Sequence, residues 1–87
     1  MESTQNMRLA HIGIIVSDLT SAGQVNALLS SAGNYIVGRM GLPYKPRGVS
    51  IISVVLDAPA DVINALGGRL NALPGVTAKA LFQREGL

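Results

Sequence analysis

Tyr35 to Leu56 reads YIVGRMGLPYKPRGVSIISVVL, two strand-like segments joined by a loop, and the stretch holds three of the seven Lys and Arg residues. Its second half decides the fold. Val49 to Leu56 is the densest β-branched run in the chain, interrupted only by Ser50 and Ser53, and such a run reads as a central strand. Tyr35 to Leu42 reads as a strand whose Gly38 and Gly41 weaken pairing and suggest a bulge or a close backbone approach. Pro43 and Pro46 forbid a continuous ladder between the two segments, and Gly48 closes the loop.

Upstream, Ala22, Val25, Leu28, Leu29 and Ala32 recur at helical spacing, so Ser21 to Ala32 is expected to be an amphipathic helix. Thr20 or Ser21 is expected to cap it, and Gly33 to end it in the left-handed conformation. Before it, Arg8 to Ser17 alternates Ala10, Ile12, Ile14 and Val16 with Leu9, His11, Gly13 and Ile15, the period of a strand. Met1 to Met7 is polar and without periodicity, and is expected to be a mobile tail.

Downstream, Asp57 is expected to cap a second helix, with Pro59 in its first turn and Asp61 facing the positive end of its dipole. Val62, Ile63, Leu66 and Leu70 make its buried face, while Gly67 and Gly68 each cost about 1 kcal/mol relative to alanine. Pro74 and Gly75 form a turn, and Val76 to Gln83 alternates as a last strand. The order is βαββαβ. Residues 8–87 are therefore expected to form a single α+β domain of ferredoxin-like type, a four-stranded antiparallel sheet with two helices on one face and the first and third strands at its centre.

Composition narrows what such a domain can do. At 87 residues it is one domain, and a chain this short buries only about 60% of the surface it exposes when unfolded, so it gains stability from partners. Hydrophobic residues make up 48% and charged residues 14%, against about 25% charge in an ordinary soluble domain, and that apolar surplus has to be hidden somewhere. The apolar runs stop at Ser17 and Asp57, far short of the roughly 20 residues that cross a bilayer. MESTQNMR has no basic region leading into an apolar one, so no secretory signal is read. With no cysteine there are no disulfides or thiolate metal sites, which fits a cytoplasmic protein. A net charge of +2, with no basic run or stripe, does not point to nucleic acid.

Two helices cover one face of the sheet, so a monomer should alternate apolar with polar residues along its central strands. These strands do not. Leu9, Ile15, Val49, Ile51 and Val55, with His11 among them, fall on the helix-free face and are the candidate interface of a homodimer or homotetramer. Burying about five such side chains is worth on the order of 10 kcal/mol before the costs of association. His11 is the only histidine. With no second imidazole and no thiolate to join it, a hydrogen-bonded interface histidine is expected rather than a metal ligand.

Arg39, Met40, Tyr44, Lys45 and Arg47 are the candidate ligand-binding residues, their cations suited to a small anionic effector such as a carboxylate or phosphate. The same charges also suit a solvated rim, or pairing with acids of a neighbouring subunit. GRMG is not a dinucleotide fingerprint, because it lacks the third glycine and the following helix. The serines have no base except His11 and the carboxylates are unpaired in sequence, so neither catalysis nor a cofactor is expected.

VGRMGLPYKPRGVSIISVVLDAP at Val37 to Pro59, followed by INALGGRLNALPGV at Ile63 to Val76, resembles the iron-only hydrogenase system regulator family. The likeness runs from Leu9 to Ala80, with Val37 to Ile52 its most specific part. These small ACT-like proteins are similar in turn to the C-terminal domain of nickel-responsive regulators. The resemblance implies a βαββαβ subunit whose sheets associate into dimers and tetramers, and a regulatory role. The nickel ligands of the related regulators have no counterparts here, and no ribbon-helix-helix or helix-turn-helix segment is read. The expectation is a stand-alone oligomeric regulatory or effector-binding module. The alternatives left open are a ligand-free interaction protein and a weak nucleic-acid binder.

Overall fold

The computed structural model describes residues 7–84, and the expected tail lies outside them except for Met7. Met7 is already strand. The elements in order are β1 (Met7–Val16), α1 (Ala22–Ser31), β2 (Ile36–Tyr44), β3 (Val49–Pro59), α2 (Ala60–Asn71) and β4 (Val76–Phe82). The four strands form one antiparallel sheet in the order β2-β3-β1-β4, so the expected central strands are central. Both helices lie on one face, where Ile12, Ile14, Val54 and Leu56 of the sheet meet Val25 and Leu29 of α1 and Ile63 and Leu70 of α2 in a solvent-free core.

Several helix ends differ from expectation, each for a local reason. Thr20 and Ser21 do not cap α1. Asp18 instead accepts from the Thr20 amide at 3.0 Å and nucleates a 3-10 turn over Leu19–Ser21 that runs into the helix. The buried Ser21 hydroxyl donates to the Pro74 carbonyl at 2.7 Å, tying this corner to the turn before β4. Gly33 does not adopt a left-handed conformation but opens a second 3-10 turn, Gly33–Tyr35. Asp57 does not cap α2: β3 continues through it to Pro59, opposite Leu9 of β1, and Asp61 serves the helix start by accepting from the Val62 amide at 2.9 Å. Gly67 and Gly68 remain helical with open space where side chains would lie, so no close packing requires them.

Among the described residues the left-handed glycines are Gly48 and Gly75. Gly48, at φ 65°, ends the turn Lys45–Arg47 that reverses the chain between β2 and β3. Gly75, at φ 66°, sits so close to the β1 exit that a Cβ there would lie 2.5 Å from the Asp18 Cβ. Its carbonyl accepts from the Ser17 amide at 2.7 Å, fastening the turn against β1.

The two sheet edges are finished differently. On β4, the Asn71 side chain donates to the Ala78 carbonyl and accepts from the Ala78 amide, both at 2.8 Å, so a side-chain amide replaces the missing neighbour strand. β2 forms the opposite edge. It is exposed along eight of its nine residues, and Pro43 is accommodated because an edge strand can spare its N–H.

Candidate functional site

The register fixes which residues share the helix-free face. Leu9, His11, Gly13 and Ile15 of β1 lie beside Asp57, Val55, Ser53 and Ile51 of β3; Met40, Leu42 and Tyr44 of β2 lie beside Ser53, Ile51 and Val49; Leu81 of β4 lies beside His11. Apolar members come from all four strands, interrupted by the row of Ser53, Gly13 and Lys79 and by His11. In a lone subunit the central ones keep much of their surface in water, with Leu9 and Ile15 44% exposed, Ile51 38% and Val55 37%. Leu81, Met40 and Leu42 extend the patch at still higher exposure. All six expected interface residues are therefore on one face, Val49 being the half-buried member. A patch that crosses a whole sheet differs from the single exposed aliphatics that any soluble surface carries.

His11 and Ser53 face each other across the two central strands, with Nε2 2.5 Å from Oγ. The pair satisfies two polar groups in the middle of an apolar surface, which lowers the cost of covering it.

The five candidate ligand-binding residues are divided by a β-bulge. Ile36 pairs with Leu56, yet Gly38 pairs with Val55, so Val37 is an extra residue and every side chain after it changes face. Met40 and Tyr44 consequently point to the open face, and Arg39 points to the helix side beside Val54. Tyr44 and Arg47 come together with Ser17, Ile15, Val49 and Ile51 around a shallow depression at one corner of the open face. Lys45 is exposed in the turn and is not part of that lining.

Arg39 lines a different cleft, of ≈ 250 Å³, between α1 and the edge of the sheet. Ala22 and Asn26 form its helix wall, Gly41 and Pro43 continue the β2 wall, and Val16, Ser50 and Ile52 make its floor. The guanidinium Nη2 donates to the Asn26 Oδ1 at 3.0 Å. Asn26 and Ser50 carry no signal in the sequence, because only the bulge brings the edge strand's odd-numbered residues over α1.

Electrostatics near the β1 exit centre on Asp18. The Thr20 hydroxyl, at 2.6 Å, and the Thr20 amide both donate to its carboxylate and hold it below its ordinary pKa. No helix of the described residues is long and apolar enough to cross a membrane.

The strand order, the helices on one face and the open second face define an ACT-like domain of ferredoxin-like fold, and solved structures share it. The structure of uncharacterized protein TM1266 from Thermotoga maritima matches with TM-score 0.86 at 32% sequence identity, over 90% of this chain and 99% of that one. The ACT domain from GTP pyrophosphokinase of Chlorobium tepidum matches with TM-score 0.74 at 20% identity, over 86% and 99% of the two chains. The C-terminal domain of the MgtC protein from Mycobacterium tuberculosis matches with TM-score 0.69 at 13% identity, over 95% of each. The last two likenesses speak to the fold alone. No curated protein matches the chain. The TM1266-like family, described as "Iron-only hydrogenase system regulator, putative", matches residues 8–80, and this chain belongs to that family.

Proposed function

We propose that this chain is the subunit of a stand-alone regulatory module in the cytoplasm, which works by binding rather than catalysis and assembles with copies of itself through the helix-free sheet face. One observation carries the reading: Leu42, Ile51, Ile15, Val55 and Leu81, on four strands, share the open face around the polar His11–Ser53 pair and keep much of their surface exposed. A second copy is the occupant the chemistry favours. Between the two apolar rows of this face stand Gly13 and Ser53, whose small size leaves room for another sheet to approach. A domain of 87 residues also gains proportionally more from such burial than a large one does.

Membership in a family described as regulators of the iron-only hydrogenase system supports a regulatory role. On this reading the oligomer answers to a small anion met by Arg39 or Arg47, which lie on opposite faces of the sheet. Sedimentation velocity over a range of protein concentrations tests the assembly. The wild type is expected to sediment as a dimer or tetramer, and Val55→Asp, which places a charge at the centre of the patch, as a folded monomer. A wild type that stays monomeric at micromolar concentration contradicts the proposal.

A further inference from the structure

We infer that the cleft between α1 and β2 is a binding site for a small aliphatic carboxylate, held within a single subunit by Arg39, Asn26 and Ser50. The inference rests on reading the chain as an effector-binding module, but not on its oligomeric state, because the cleft lies on the face opposite the proposed interface.

The Arg39–Asn26 hydrogen bond organises the cleft. A guanidinium carries five N–H donors and no acceptor, and one of them goes to the Asn26 Oδ1. That bond also orients the amide. With its oxygen engaged by Arg39, Asn26 has its two N–H donors to offer, and the Ser50 hydroxyl adds a further donor from the floor. Among the described residues no carboxylate pairs with Arg39, whose hydrogen bond goes to a neutral amide. A rim of donors around a guanidinium calls for a ligand that only accepts, and a carboxylate meets a guanidinium with two parallel hydrogen bonds.

The rest of the lining sets the remainder of the ligand. Val16 and Ile52 are buried core residues whose surfaces form the floor, and Ala22 and Pro43 flank them, so the space beyond the donors is apolar. Gly41 has nothing within 4 Å of where a Cβ would stand, which keeps the β2 wall low. A volume of ≈ 250 Å³ suits an acid with a short aliphatic chain and is too small for a nucleotide. The apolar floor also disfavours inorganic phosphate, whose oxygens on that side would lose water without gaining donors.

The test is a titration of the isotope-labelled protein with butyrate, followed by amide chemical shifts, with butylammonium and inorganic phosphate as comparison probes. Butyrate is expected to move the amides of Asn26, Arg39, Gly41 and Ser50, and butylammonium to leave them in place. Arg39→Ala is expected to weaken butyrate at least about tenfold, as loss of a charge-assisted bond does. Asn26→Asp supplies the carboxylate from the chain itself, so it is expected to keep the fold through an ion pair with Arg39 while abolishing butyrate binding. Val55→Asp, on the other face, is expected to bind butyrate as the wild type does whatever its assembly state.

Absence of butyrate binding to the wild type, or binding lost in Arg47→Ala and kept in Arg39→Ala, overturns the assignment while leaving the oligomer standing. Phosphate binding as tightly as butyrate at the same amides overturns the carboxylate class. Butyrate binding that survives in Val55→Asp while the wild type proves monomeric would retain this site and remove the assembly.

Discussion

Replacing Asn71 with alanine tests how the β4 edge is closed. The side chain makes two hydrogen bonds of 2.8 Å to the backbone of a single residue, Ala78, and the variant loses both. Each is worth about 0.5–1.5 kcal/mol net, or about 1–3 kcal/mol together. Alanine returns up to about 0.7 kcal/mol of helix propensity at the last residue of α2, so the expected loss is about 1–2 kcal/mol. In a domain of this size that lowers Tm by roughly 4–16 °C.

Urea denaturation and thermal melting at matched protein concentration measure it, the matching being needed because association itself shifts the melt. Asn71→Asp keeps the acceptor for the Ala78 amide but sets a second carboxylate oxygen against the Ala78 carbonyl, so it is expected to be no more stable than Asn71→Ala. Ser31→Ala removes a bond to the Leu28 carbonyl at an exposed site and serves as the control, with an expected change within about 0.5 kcal/mol. An Asn71→Ala change no larger than that control would refute the view that this side chain stands in for a neighbouring strand.

The two left-handed glycines predict an order of severity. Gly75→Ala brings a Cβ to 2.5 Å from the Asp18 Cβ and 2.7 Å from the Asp18 nitrogen, so it should cost more than about 2 kcal/mol in urea unfolding, whereas Gly48→Ala, with open space around it, should cost only the roughly 1 kcal/mol of the conformation. Equal costs would contradict the packing described at the β1 exit. For Asp18, the depressed folded-state pKa means that its contribution to stability is complete above the unfolded value of about 3.9 and is lost as the pH falls through the folded value. The stability gap between wild type and Asp18→Asn should therefore be widest at neutral pH and shrink below about pH 4, as followed by urea unfolding across that window; a gap independent of pH would remove the Thr20 hydrogen bonds as its cause.

Most of the fold was legible because it rests on periodicity. Ile12, Ile14 and Val16 alternate with Leu9 and Ile15, and Val54 and Leu56 with Val55, and the sheet places each set on the face that the alternation implies. The apolar second face was legible for the same reason. Helix ends were less so, since Asp18, Thr20, Ser21 and Asp57 are all competent caps and only tertiary contacts chose among them. Pro74 claims the Ser21 hydroxyl, and the long β3 carries Asp57 past the helix start.

The candidate ligand residues cluster in sequence, and a strand cannot present neighbours such as Arg39 and Met40 on one face. Gly38 and Gly41 hinted at a bulge, but only the pairing of Ile36 with Leu56 and Gly38 with Val55 shows where the extra residue sits. That one-residue shift sends Arg39 over α1 to meet Asn26, a residue that in sequence is no more than the polar side of an amphipathic helix.

On the proposed function, the helix-free face is covered by another copy of the chain. Sedimentation velocity of wild type beside Ile51→Asp and Val55→Asp, with circular dichroism to verify the fold of each, tests it most directly. The predicted result is a wild-type dimer or tetramer and folded monomers for both variants, since a charge on an exposed strand position is tolerated by the subunit but not by an apolar interface. Variants that assemble as the wild type does, or a wild type that remains a stable monomer at micromolar concentration, would contradict it.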